Sequence, residues 1–191
     1  MTTFLDQLND LSPEGYNFAL HIRFAKPLLH YSTYPKAWRD LYKSQNYGLR
    51  DPTAFWAIAN SGAIRWSEVT LPDPFGVLEK ARQHGLAFGV TITSGQITAR
   101  TGVGLMSGKR EFTDDEVARA VSIAEELHRI GEPVEGLPRE VDEARCYDAI
   151  GFTPEAAARE IGTTVDVFRA RLSQAEKAME GRAIGGAPGM A

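Results

Sequence analysis

A single cysteine, Cys146, among 191 residues leaves no partner for an internal disulfide and excludes a zinc site built on several thiolates. Long apolar runs are missing as well, and none approaches the roughly 20 residues that span a bilayer. The N-terminus, Met1-Thr2-Thr3-Phe4-Leu5-Asp6, has neither the basic nor the apolar region of a secretion signal. A soluble, cytoplasmic chain with no membrane partner is the expectation. Basic charge is in short supply: 21 Lys and Arg face 25 Asp and Glu, for a net charge of −4. That balance excludes a strong non-specific binder of polyanions but leaves room for a small basic patch. Histidines 21, 30, 84 and 128 have no i, i+4 pairing and no ligand spacing. Gly102-x-Gly104-x-x-x-Gly108 is no dinucleotide fingerprint, and Ser107 and Cys146 have no activating neighbour in sequence. Neither a metal, nor a resident cofactor, nor an enzyme is indicated.

What remains is an ordinary globular composition, 43% apolar and 24% charged. Residues 12–26 read as a helix, with Ser12 as its cap, Pro13 at its first position and Phe18, Ile22 and Ala25 on one face. A strand is expected over 28–33, helices over 35–45, 52–60 and 74–84, and a short strand over 64–66. Runs 86–93 and 96–106 read as a hairpin turned by Ser94-Gly95. The glycines at 102, 104 and 108 mark a bulge or a close backbone approach. Thr113-Asp114-Asp115-Glu116 is a capping box, opening a helix with Val117, Val121, Ala124 and Leu127 on one side. Helices that flank an antiparallel sheet predict an α+β fold, here an α-β-α sandwich, followed by a small all-α domain. The divisions expected are a first domain over 1–130, a linker over 131–138 that holds two Gly and two Pro, a helical domain over 139–183 and a flexible tail over 184–191.

Aromatic residues are unevenly spread. Eight of the 18 fall between residues 31 and 66, including all three tryptophans. Tyr34, Trp38 and Tyr42, at i, i+4 and i+8, share one helix face. A plain core stripe would favour Leu, Ile and Phe, whereas Tyr and Trp carry OH and NH groups that need partners when buried. A carboxylate, Asp51, follows closely. Hydroxyl and indole donors suit carbonyl oxygens, and a carboxylate accepts from an amide N–H. With apolar walls, the set describes a pocket for a small ligand that carries carbonyls, an amide N–H and an apolar remainder.

The pattern Tyr34-Pro35-x-x-Trp38-x-x-x-Tyr42, Tyr47, Asp51-Pro52-Thr53 and Trp66 resembles the autoinducer-binding domain of LuxR-family quorum-sensing regulators, over roughly residues 10–130. The resemblance implies an α-β-α sandwich that binds an N-acyl homoserine lactone between sheet and helices. It implies that Trp38 donates to the lactone carbonyl, Tyr34 to the acyl amide carbonyl, and that Asp51 accepts the amide N–H. Tyr42 and Trp66 would form the pocket wall, with Thr53 supporting the amide end. Where the family often has a Ser or Thr on the strand after the hairpin, this sequence has Leu105, with Ser107 and Thr101 as alternatives.

From about Leu137 the sequence resembles the helix-turn-helix domain that ends LuxR-family regulators, with Glu155–Thr164 as first helix and turn and Val165–Leu172 as the start of the recognition helix. Ala144-Arg145 and Val167-Phe168 depart from the family's usual residues. Arg169, Arg171 and Lys177 are the DNA-contacting candidates. The same stretch holds seven basic and nine acidic residues, a net of −2. The expected function is a dimeric regulator that binds an acyl-homoserine-lactone-like signal and promoter DNA. The alternative is a signal-binding antagonist with a degenerate helix-turn-helix, which titrates signal or forms inactive heterodimers. A lactone hydrolase ranks third.

Overall fold

Alternation, not helical spacing, governs the first long apolar run. Tyr16, Phe18 and Leu20 are buried while Asn17 and Ala19 between them are half-exposed, so the segment is strand β1 (Tyr16–Ile22) and not the helix expected over 12–26. The alternation runs to Leu20; an irregularity between Ala19 and Ile22 then buries His21 and turns Ile22 away from the Phe18 face on which helical spacing had placed it. Ser12 does not cap a following helix. Its hydroxyl lies 2.6 Å from the Gly15 carbonyl and 2.8 Å from that of Met106, and it accepts the Met106 N–H, fastening a turn to the sheet. The true first helix, α1 (Phe4–Leu11), comes earlier and is capped by Thr3. The structure, a computed structural model, describes residues 2–23 and 26–185, so Ala25 lies outside the described residues.

Strand β2 (Leu29–Ser32) and helices α2 (Lys36–Ser44) and α3 (Pro52–Ala59) fall where the sequence pattern places them. Strand β3 (Gly62–Arg65) ends one residue early, because Trp66 opens a single 3-10 turn. Helix α4 (Val77–Gln83) starts after Gly76 rather than at Pro74, since the Asp73 carboxylate accepts the N–H groups of Val77 and Leu78. Strands β4 (Phe88–Ser94) and β5 (Arg100–Ser107) are joined by residues 95–99, not by a two-residue turn. A type I′ turn needs positive φ at both central residues. Only Gly95, at +84°, has it; Ser94 does not.

The five strands run antiparallel in the order β2-β1-β5-β4-β3. On one face Val90, Ile92, Val103 and Leu105 are almost wholly buried. Thr101, on that same face, meets His128 of helix α5 (Asp114–Ile130), which covers the sheet there with α1 packed on it. The buried stripe of α5 is Ala120, Ile123, Ala124 and Leu127; Val117 and Val121 are only half-buried, a rotation from the face expected. The opposite face is cleared in its middle, at Asn17, Gly89, Thr91, Gly102 and Gly104, between the larger Met106, Ile64 and Arg100, and it looks toward α3 and Trp66. The sheet irregularity lies in β1, between Ala19 and Ile22, and not at the β5 glycines.

The described residues divide into two units between Gly131 and Glu132. The second contains α6 (Arg139–Ile150), α7 (Pro154–Ile161) and α8 (Val165–Gly185), and no helix or strand lies between α5 and α6. Thr153 caps α7, and Gly162 at φ +75° ends it. Tyr147, Ile150, Phe152, Ala157, Ala158, Phe168 and Ala175 form its buried core. Ala144 is fully buried, and Arg145 forms a largely buried ion pair with Asp142 at 2.7 Å. Of the tail expected over 184–191, residues 186–191 lie outside the described residues, and α8 runs through Gly185. No described helix is long and apolar enough to cross a membrane.

The capping box of α5 supplies a pH-dependent element of stability. Glu116 accepts from Arg110 at 2.7 and 2.9 Å and from the Thr113 N–H at 2.8 Å, and these contacts, Arg110 first, pull its pKa down to about 2. A carboxyl lowered on folding stabilises the protein above its ordinary value of 4.5 and loses that stabilisation as pH falls toward about 2. The gap in urea stability between the parent and Glu116→Gln should therefore close over that interval. A gap that stays constant from pH 6 to pH 2 would contradict the assignment.

Candidate functional site

Helix α2 delivers the aromatic stripe. Tyr34, just before the helix, and Trp38, one turn in, are buried, while Tyr42 is half-buried. The chain then folds back through a 3-10 turn (Tyr47–Leu49), which buries Tyr47 against both rings. Ring centroids are 5.6 Å apart for Trp38–Tyr42, 6.0 Å for Trp38–Tyr47 and 5.9 Å for Tyr42–Tyr47. Val77, Ala81, Leu86 and Met106 complete the apolar wall.

Asp51 sits among these rings as the N-cap of α3. One carboxylate oxygen accepts from the Thr53 N–H at 2.8 Å and the Thr53 hydroxyl at 2.7 Å; the other accepts from the Tyr42 hydroxyl at 2.9 Å. Burial pushes the Asp51 pKa up, and the Thr53 and Tyr42 hydrogen bonds oppose that without cancelling it. Thr53 thus holds the carboxylate, and Pro52 at the first helical position sets the turn that places it. A carboxyl raised on folding favours the folded state fully below its ordinary 3.8 and loses that contribution as pH rises through its folded value. At neutral pH Asp51 is a cost to the empty protein.

Tyr34 carries a second cost. Its hydroxyl is enclosed and has no hydrogen-bond partner among the described residues. Burial, with the Asp51 charge nearby, raises its pKa far above the ordinary tyrosine value. The Trp38 indole N–H likewise has no acceptor among the described residues. Trp66 is committed instead to the sheet: its N–H donates to the Thr91 hydroxyl at 3.0 Å, and its ring lies so close over Gly89 that a Cβ there would be 2.4 Å away. A cavity of about 150 Å³ borders Trp66 and is lined by Leu78, Arg82, Leu86, Phe88 and Glu111.

All six ligand candidates, Tyr34, Trp38, Tyr42, Asp51, Thr53 and Trp66, lie in the first unit around this cluster. The strand positions offered as the family's Ser or Thr do not join them. Leu105 and Thr101 belong to the α5 face, and the Ser107 hydroxyl accepts the N–H groups of Lys109 and Arg110. Tyr47, part of the sequence pattern though not one of the six ligand candidates, is a wall of the cluster, and two further neighbours escaped the sequence reading: Thr91, the anchor of Trp66, and Asn17. Glycine spacing was the one available signal, since a Cβ on Gly104 would stand 2.7 Å from the Tyr34 hydroxyl and 2.6 Å from the Asn17 amide oxygen. At Gly102, by contrast, a Cβ would meet nothing within 4 Å.

In the second unit Arg169 and Lys177 are exposed and Arg171 is half-exposed on α8. Arg169 pairs with Glu155 at 3.6 Å, and Arg171 lies near enough to Glu143 to stabilise its charge.

Comparison with known proteins decides the family. The profile of the autoinducer binding domain matches residues 21–129, more than half of the chain. The chain belongs to the autoinducer-binding domain family. Its sequence is similar to the HTH-type quorum-sensing regulator RhlR of Pseudomonas aeruginosa, 35% identical over 79 residues, which are 41% of this chain and 33% of that protein. The match thus spans about a third of the length of that relative. The fold is similar to that of SdiA in complex with octanoyl-rac-glycerol, at a TM-score of 0.54 and 21% identity over 91% of this chain and 78% of that one. It is also similar to CepR2 of Burkholderia cenocepacia, an N-acylhomoserine-lactone-dependent LuxR-family transcription factor, at 0.51 and 12% identity over 78% of this chain and 80% of that one. At such identities the structures show the fold, and the autoinducer-binding domain here has the same α+β arrangement. The relatives reported are regulators by name, not enzymes.

The orphan hydroxyl gives a direct test of the cost described. Removing a buried unpartnered polar group recovers about 1–3 kcal/mol. Tyr34→Phe should therefore raise the urea stability of the ligand-free protein by about that amount. A destabilised variant would show that the hydroxyl has a partner inside the protein.

Proposed function

We propose that this autoinducer-binding domain takes an N-acyl homoserine lactone-type signal as its only small-molecule ligand. The observation that carries the reading is the juxtaposition of a buried carboxylate, Asp51, with a buried and partnerless donor, Tyr34. A buried polar group without a hydrogen bond persists at a cost that a ligand can remove. An acyl amide offers what the two lack: its N–H reaches the carboxylate and its carbonyl accepts from Tyr34. The free Trp38 N–H then serves the lactone carbonyl. Tyr42 holds Asp51 from the wall, Thr53 from beneath, and Trp66 closes the side over Gly89. The bare sheet face between Gly104 and Gly102 gives the acyl chain its floor.

Asp51→Asn should weaken lactone binding about ten- to a hundred-fold, the consequence of losing a hydrogen bond to a charged acceptor worth roughly 1.5–3 kcal/mol. Asp40→Asn, on the exposed side of α2 where Asp40 pairs with Lys36, should leave binding unchanged. Isothermal titration with a panel of acyl chain lengths makes the comparison, and equal affinities for the two variants would remove Asp51 from the site. Lactone at a hundred times its dissociation constant should also add about 2.7 kcal/mol of stability in a melting experiment.

For the second unit we propose promoter DNA as the partner, bound by a homodimer, with α7 and α8 as the two helices of a helix-turn-helix. The supporting observation is local: a capped short helix, a three-residue turn that begins at Gly162, and a long helix held by Phe168 and Ala175. A specific observation also favours the antagonist reading. Of the arginines that would meet DNA, Arg169 already pairs with Glu155 at 3.6 Å, in a stretch of net charge −2. Phosphate contacts by Lys and Arg supply most non-specific affinity. If the unit binds DNA, Arg171→Ala or Lys177→Ala should each weaken binding and lower the salt slope by about one unit, while leaving lactone affinity unchanged. Mobility shifts with the DNA upstream of the gene are the measurement. No binding by the parent at about 50 mM salt would establish the signal-titrating role instead.

A further inference from the structure

Asn17 is out of place for a strand residue. It lies in the middle of β1, in register with Ser32 on one side and Gly104 on the other. Asparagine is depleted in strands because it neither packs nor branches to suit a pleated surface. Its side chain makes no hydrogen bond among the described residues, so no internal structural contact explains it. Its neighbours on the same sheet face are Ala19, Gly102, Gly104 and Thr91, all small.

The position of the amide is defined by Gly104. A Cβ there would lie 2.6 Å from the Asn17 oxygen and 2.7 Å from the Tyr34 hydroxyl, so two polar groups from different elements converge over one bare backbone position. The next pair along the strands, Ala19 with Gly102, is apolar and opens onto empty space. It lies about 7 Å further on, two residues at roughly 3.3–3.4 Å each. The floor therefore reads, in order, a polar row through Ser32, Asn17, Gly104 and Thr91, and then a narrow apolar lane at Ala19 and Gly102, flanked in register by His30 and Thr93.

We propose that Asn17 recognises an oxygen on the third carbon of the signal's acyl chain, making the site selective for 3-oxo or 3-hydroxy chains over unsubstituted ones. This rests on the lactone reading above, in which Tyr34 donates to the amide carbonyl. The carbonyl carbon and the third carbon are separated by one methylene, so oxygens on both can point to the same side and meet two converging groups. The Asn17 atom over Gly104 is the amide oxygen, which accepts from a 3-hydroxyl; a half-turn of the amide about its last torsion presents its N–H to a 3-keto oxygen in the same place. Beyond that carbon the chain has only methylenes, which match the Ala19–Gly102 lane. Ala, Leu or Gly at position 17 would leave in the row only the hydroxyls of Ser32 and Thr91, which already accept the Tyr34 backbone N–H and the Trp66 indole N–H.

The test is titration of the full chain with matched butanoyl, hexanoyl and octanoyl homoserine lactones, each unsubstituted, 3-oxo and 3-hydroxy. The parent should prefer the oxygenated members by about fivefold to tenfold, the worth of one net hydrogen bond. Asn17→Ala should erase that preference, read as the ratio of affinities for oxygenated and unsubstituted lactones of the same chain length. Asn17→Thr, which suits a strand and restores a hydroxyl, should recover part of it. A parent that binds lactones without preference, or an Asn17→Ala variant that keeps the preference, overturns the role of Asn17 and leaves the lactone reading standing. A parent that binds none of the nine compounds overturns both.

Discussion

The empty site carries polar groups that the fold alone does not satisfy. Asp51 has three donors and is still disfavoured as an anion because it lies away from water, and the Tyr34 hydroxyl has no hydrogen-bond partner among the described residues. Both sit among aromatic rings that exclude solvent. Such an arrangement is costly for a protein whose total stability is of the order of 5–15 kcal/mol. A group that hydrogen-bonded to Tyr34 would recover part of that cost, as the proposed lactone would. The same residues that make the site specific also make it expensive when vacant.

The sheet separates this expense from the rest of the domain. One face carries Val90, Ile92, Val103 and Leu105 against α5 and supplies ordinary apolar stabilisation, about 1.5–3 kcal/mol for each large side chain fully buried. The other face has been cleared of side chains at Gly89, Gly102 and Gly104, which costs strand stability but opens room. Trp66 fills one clearing and Tyr34 with Asn17 another, while the space over Gly102 stays open. Because successive residues of β5 alternate between the faces, Leu105 secures the core while Gly104 shapes the site. The strand thus performs both tasks without compromise at any one position.

Much of the site was legible in the sequence because it lies on one helix and the turn that follows. The i, i+4, i+8 stripe and the Asp51-Pro52-Thr53 cap are local patterns, and local patterns can be read without knowing which strands pair. Asn17 and Thr91 were not legible for the opposite reason. Their meaning depends on register, since Asn17 matters only once it is opposite Gly104, and Thr91 only once Trp66 folds over it. The early helix assignment failed because it followed the spacing of Phe18 and Ile22 across the irregularity in β1, and the long-range contacts of Ser12 with Met106 resolve it. Strand β5 misled in a similar way. A position numbered by eye falls on the wrong face if it is off by one, and Leu105 lies on the α5 side for that reason.

The second unit follows a different physical logic. Its packing is well determined: Phe168 and Ala175 lock α8 to its neighbours, and Arg145 is neutralised by Asp142 where it enters the core. The outer surface is where the sequence departs from what phosphate recognition asks. An arginine already paired with a carboxylate must give up that interaction before it can neutralise a phosphate, so Glu155 would tax any phosphate affinity of Arg169 without touching the fold. Exposed pairs of this kind are worth only about 0–1 kcal/mol, so they weaken DNA binding by degrees and do not forbid it. Salt separates the two cases, since lowering ionic strength strengthens a phosphate contact far more than it strengthens one short internal pair.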